Sequence, residues 1–199
     1  VNGLNGLDTG TVAVSKVYCV YLISDPVSFQ PTGAMISASY TTPTMPFGYS
    51  AFALIGYVTT DSSANFLKGY WTVGNGSSHL FMYDAPQASN ITAGNATAYA
   101  TTPVNLISLV PNVNNTPVWI ASNFTPNAAS DTFNMQPANA TGDSILVIGQ
   151  VASVHVATNS LILSQTLSIS SVLSPALRYK LSTASAAVAI NVAGYEYYI

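Results

Sequence analysis

The run Phe52-Ala-Leu-Ile-Gly-Tyr-Val58 is apolar at every position, and it limits what this chain can fold into more than any other stretch. Alternation sets Phe52, Leu54, Gly56 and Val58 against Ala53, Ile55 and Tyr57, so a strand here has two apolar faces. Such a strand is covered on both sides, in a core or at an interface. Gly56 would weaken an isolated strand and so marks a bulge or a close approach by a neighbouring backbone or ring. Upstream, Pro43 and Pro46 each fix φ at about −65° and remove a backbone donor, which makes residues 42–48 an extended, turn-rich lead-in. Asp61-Ser-Ser ends the segment as a turn.

The same rhythm of short apolar or alternating runs recurs along the chain. Strands are expected over residues 11–23, central from Val17 onward, and over 34–40, 65–73, 79–83, 95–100, 104–110, 118–121, 131–135, 144–157, 161–169, 177–181 and 186–193. Gly74-Asn-Gly76 is a hairpin signal between two of them. Gly149 is expected to bend or bulge the long 144–157 run. Asp25-Pro26 and Pro31-Thr-Gly33 read as loop, as do residues 85–93, which form the weak midpoint of the chain. About a dozen short strands with turns every 8 to 12 residues imply an all-β fold, an antiparallel, jelly-roll-like β-sandwich. A single module over residues 1–199 is expected, with an upstream attachment region before Val1.

Charged residues make up only 6% of the chain, against about 25% in an ordinary globular protein. Ser, Thr, Asn and Gln carry the polar share, and they build neutral surfaces suited to close protein contacts. A net charge of −3 gives little electrostatic protection against association, so a homo-oligomer or assembly component is expected. Lys16, Lys68, Arg178 and Lys180 form no basic stripe, which argues against nucleic-acid binding. There is no run of 18 apolar residues, and no membrane span is expected. The single cysteine, Cys19, lies in an apolar run and reads as a buried, inert thiol.

Little points to catalysis. His79 and His155 have no third ligand at metal-like spacing, and the carboxylates sit in turns or beside Gly and Pro, where they bond their own backbone. No catalytic residue, metal site or cofactor is expected. A pair of carboxylates assembled in space, as in glycosidases, is the one enzymatic alternative the residues leave open. The aromatic residues are the better candidates. Trp71 and Trp119 are the only tryptophans, and Tyr195, Tyr197 and Tyr198 crowd the end of the chain. They serve either as core and interface packing or as contacts to a host surface glycan.

Asn5-Gly-Leu-Asp-Thr-Gly10, Lys16-Val-Tyr-Cys-Val-Tyr-Leu-Ile23 and the segment Pro43, Pro46, Gly48, Tyr49, Ile55, Gly56, Tyr57, Thr60 and Asp61 together resemble a β-rich module of tailed-bacteriophage fibre and virion structural proteins. Val17 stands where that family usually has Trp, and Phe52-Ala-Leu54 replaces its usual basic pair. Beyond about Tyr70 the resemblance loosens, with echoes in residues 104–111, Arg178-Tyr-Lys180 and residues 192–195. The resemblance implies a non-enzymatic virion component, usually trimeric, on the head or tail surface and in contact with other virion proteins. A receptor-binding tail-fibre tip that recognises host glycan is the alternative.

Overall fold

The computed structural model describes residues 2–25, 27, 30–73, 78–113, 116–125, 128, 131–138, 147–148, 159–169 and 175–198. The described residues hold twelve strands and no helix, so the fold is all-β. They gather into two compact units, Val1–Leu67 and Lys68–Tyr198, each described here by itself.

The first unit is a three-stranded antiparallel sheet of β1 (Val17–Asp25), β2 (Gln30–Ser37) and β3 (Ala51–Thr59), with β1 in the middle. One face of β1 presents Cys19, Tyr21 and Ile23, all fully buried with Met35 and Tyr57. The register between β1 and β3 slips by one residue where Val20 faces Gly56 and Tyr21 faces Leu54. The bulge expected at Gly56 is therefore present, and Ile55 is the extra residue.

Coverage of β3 on both sides is not what the fold provides. Within this chain Phe52 and Ile55 remain 42% and 36% exposed, and among the described residues no strand pairs with the far edge of β3. The first strand also starts later than its alternation suggests, since residues 11–16 run as irregular chain with a bend. Pro31-Thr-Gly33, read as loop, lies inside β2. This is compatible with proline because β2 borders the sheet, where a missing donor breaks no ladder.

The second unit is a sandwich of two antiparallel sheets. One has the order β10 (Asn159–Ile169), β7 (Thr116–Thr125), β12 (Ala187–Tyr198), β5 (Ser78–Ala88), β4 (Gly69–Val73). The other has the order β6 (Val104–Asn105), β11 (Ala176–Leu181), β8 (Phe133–Pro137), β9 (Val147–Ile148). Alternation decides which face each turns inward: Val118, Ile120 and Phe124 of β7 and Val188, Ile190 and Val192 of β12 are buried against Phe133, Met135, Leu177, Tyr179 and Leu181. Phe124 stacks on Phe133 across the two sheets at 5.9 Å.

Four local expectations change. Residues 95–100 are irregular chain with a bend rather than a strand, with the Ala96 carbonyl accepting from the Leu181 N–H at 2.7 Å. Only Val104–Asn105 of the 104–110 run is strand; Leu106 and Val110 are fully buried from within a turn, so their apolar character serves to plug the core. Strand β5 runs on to Ala88, but it leaves β12 between Met82 and Gln87, where Asp84, Ala85 and Pro86 are exposed. Strand β12 continues through Gly194 to Tyr198 instead of stopping near Ala193. The Gly74-Asn-Gly76 turn, Gly149 and most of residues 144–157 lie outside the described residues, although β4 and β5 pair antiparallel on either side of that turn.

Candidate functional site

The five aromatic residues nominated by the sequence separate onto two faces of one sheet. Pairing sets Tyr195 opposite Phe81, Phe81 opposite Trp71, and Tyr197 opposite His79. These side chains form a continuous inner-face cluster, with Phe81 5.2 Å from Tyr195, 6.2 Å from Trp71 and 5.0 Å from Tyr83, and with His79 stacked 5.5 Å from Tyr197. Tyr195 and Tyr197 are almost completely buried, and burial pushes the Tyr197 hydroxyl up to about 12. Trp71, on border strand β4, is 43% exposed.

Trp119 and Tyr198 lie on the opposite face. Trp119 faces Gly194 across the ladder and is half-buried, while Tyr198, opposite Ser78, is 60% exposed. Gly194 is required where it stands, because a Cβ there would run into the Phe81 carbonyl oxygen and lie 2.6 Å from the Met82 sulfur. The bulge at this glycine turns Tyr195 and Tyr197 inward.

In the first unit, Asp8 joins two of the three segments that carry the resemblance. The turn around it begins with Asn5 at φ 59°, a left-handed conformation that asparagine tolerates, and then runs along the border of β2, with Leu7 bridging Ile36. The carboxylate accepts from the Thr9 N–H at 2.8 Å, from the Ser37 hydroxyl at 2.6 Å and from the Thr44 N–H at 3.1 Å. It thereby ties the Asn5–Gly10 turn to β2 and to the proline lead-in. Beside it is a hollow of about 390 Å³ lined chiefly by hydroxyl groups, among them Thr9, Thr11, Tyr18, Ser37, Ser39, Thr42 and Thr44.

Protein-family models, curated proteins and solved structures give no match to this chain. Its chemistry is therefore read from the geometry alone. Among the described residues, no group of three His, Cys, Asp or Glu side chains could hold a metal ion. Asp61 accepts from the Ser63 and Asn65 N–H groups at 2.7 and 2.9 Å, and these bonds hold its carboxyl below the usual range. Asp131 is buried at the start of β8, accepting from the Ala128 N–H and the Thr183 hydroxyl. Glu196 accepts a hydrogen bond from the Ser78 hydroxyl. Cys19 is fully buried, and desolvation raises its thiol to about 11.

The first unit exposes several large apolar side chains, and the register sets Leu22 and Phe52 on opposite faces of its sheet. Leu22, Phe47, Phe52, Ile55 and Phe66 are all exposed by more than a third. Sequence reasoning located the strands that carry Leu22, Phe52 and Ile55. It treated Asp8 as an ordinary turn residue, and nothing short of a contact map would have shown that Asp8 spans 36 positions to reach Thr44.

Proposed function

We propose that this chain is a structural protein of a tailed-bacteriophage virion, a fibre or decoration module that makes protein contacts on the particle as a homotrimer, without catalysis or cofactor. The observation that carries this reading is the number of large apolar side chains left exposed in the first unit, on a chain with very few charges to keep copies apart. The burial of Tyr195 and Tyr197 supports it too, since aromatics committed to packing are not offered to a ligand. The bonds of Asp8 support it further by joining two of the segments in which the chain resembles virion modules.

A glycan-binding tail tip is the second reading. It rests on Tyr70 and Trp71 of border strand β4, which project from opposite faces of the sheet and are 55% and 43% exposed. Cryo-EM of intact particles decides between them. Density for this chain on the head lattice or a fibre shaft is the expected result; density at the distal end of the tail favours the second reading, and absence from purified particles overturns both.

A further inference from the structure

The hollow beside Asp8 measures about 390 Å³, within the range of about 300–1,000 Å³ usual for small-molecule sites. Its walls, however, are not the apolar walls of such sites. Leu7 and Ala38 supply a small apolar patch, and every other described lining residue brings a side-chain oxygen. Asp8 is the one ionised group among them. A carboxylate offers about four lone-pair positions, and the fold uses three, from the Thr9 N–H on Oδ1 and from the Ser37 hydroxyl and the Thr44 N–H on Oδ2. Asp8 Oδ1 therefore has room for one more donor.

Two of the hydroxyls are committed to the fold. Ser37 donates to Asp8 and accepts from the Ser39 N–H at 3.0 Å, while the Ser39 hydroxyl accepts from the Thr42 N–H at 3.0 Å. The others keep bonding capacity. Tyr18 is only 2% exposed, and its hydroxyl accepts from the Ala13 N–H at 2.7 Å, yet the phenolic proton has no acceptor among the described residues. The hydroxyls of Thr9, Thr11 and Thr44 make no hydrogen bond to a described residue either. A buried phenol whose donor is unused is costly, so a molecule in the hollow that accepts from it is favoured.

We propose that this hollow binds one residue of a neutral sugar, with Asp8 accepting from one ring hydroxyl while Tyr18 and the threonines bond its neighbours. A diol matches the wall because each of its hydroxyls both donates and accepts, as the spare groups here require. An anion meets the Asp8 carboxylate, and an apolar ligand leaves the hydroxyls unsatisfied. A calcium ion takes about six to eight oxygen ligands, most strongly from several carboxylates, and here there is one. The site lies in the first unit, apart from the Tyr70 and Trp71 contacts of the second, and does not depend on the virion reading.

The test is an NMR titration of the full chain with the methyl pyranosides of mannose, galactose and glucose, and with sodium phosphate and calcium chloride at constant ionic strength. Saturable shifts at the amides of Thr9, Thr11, Ser39 and Thr44 are expected with at least one glycoside and not with phosphate. Tyr18→Phe, which keeps the ring and loses the hydroxyl, should weaken binding at least fivefold. Thr11→Val removes a hydroxyl that the fold does not use, so it should weaken binding several-fold with the thermal midpoint unchanged, and it decides alone should Tyr18→Phe fail to fold. No saturable shift with any of the three glycosides, a response at these amides to calcium only, or undiminished binding by the folded variants overturns the proposal. Glycoside shifts confined to Tyr70 and Trp71 also overturn it, and favour the tail-tip contacts instead.

Discussion

The two units solve the same problem, burying a sheet, with different completeness. In Lys68–Tyr198, two sheets cover each other, and the strands facing across the core alternate buried apolar with less buried positions. In Val1–Leu67, a single sheet carries apolar residues on both faces, and its own loops pack on it: Tyr40 lies 5.9 Å from Tyr57, and the Tyr21 hydroxyl donates to the Ser39 carbonyl at 2.9 Å. A unit this short buries only about 60% of the surface its unfolded chain exposes. Its stability therefore depends on a few polar ties such as Asp8, whereas that of the larger unit depends on packed volume.

The chain contains native probes for each side of this comparison. Its only cysteine, Cys19, lies in the first unit, and both tryptophans, Trp71 and Trp119, lie in the second. The largest effect is expected from Tyr195→Ala, which removes the ring in contact with Phe81, Tyr83 and Tyr197. It should destabilise the second unit by about 3–5 kcal/mol, as for other buried aromatics, and lower the denaturation midpoint read by tryptophan fluorescence. Cys19 labelling should change little.

Asp8→Ala comes next. Losing the carboxylate strands the Ser37 hydroxyl and two N–H groups and should weaken the first unit by about 1–3 kcal/mol. Labelling of Cys19 by a thiol reagent should accelerate by roughly fivefold to a hundredfold, with the tryptophan midpoint unchanged. If both probes shift together in either variant, the contrast between the units breaks.

How much of this was legible in the sequence follows the same divide. Strand β3 and its bulge could be read because proline, glycine and an unbroken apolar run are all local signals. The burial of Leu106 and Val110 could not, because an apolar pair four positions apart looks the same whether it lines a strand or plugs a core from a turn. Gly194 directly follows the strand expected over 186–193. Only the close approach of Phe81 and Met82 shows that it instead lets β12 run on with a bulge, and this is what buries two of the five nominated aromatics. The hollow beside Asp8 depends on a turn and a strand end that meet at Asp8 and Ser37, 29 positions apart, which composition does not encode.

A smaller effect is expected at alkaline pH. Burial raises the Cys19 thiol from 9.0 to about 11, and it raises the Tyr21 hydroxyl as well. A group whose proton is held more tightly in the folded state contributes stability that is intact below its unfolded pKa and lost above it. The first unit should accordingly keep its stability up to about pH 9 and lose it progressively toward pH 11. Circular dichroism melts of wild type and Cys19→Ala across this range check the sign, since the variant should show the shallower decline. A steeper decline in the variant would show that ionisation of the thiol is not the cause.

The smallest effect lies at the turn after β3. The Asn65 and Ser63 N–H groups hold the Asp61 carboxyl below its ordinary value of 3.8, so the turn is favoured while the group is charged and loosens as pH falls through its lowered value. Asp61 is solvated, so the global midpoint should scarcely respond, and the response should be local. Hydrogen exchange at the Asn65 and Ser63 amides, compared between wild type and Asp61→Asn, should show protection that falls with acid only in the wild type. Because Thr60 and Phe66 bridge the ends of this turn, acid should also loosen the pairing of residues 66–67 with the end of β3. Protection of the Leu67 amide, which donates to the Thr59 carbonyl at 2.8 Å, then reports how far the open side of that sheet extends.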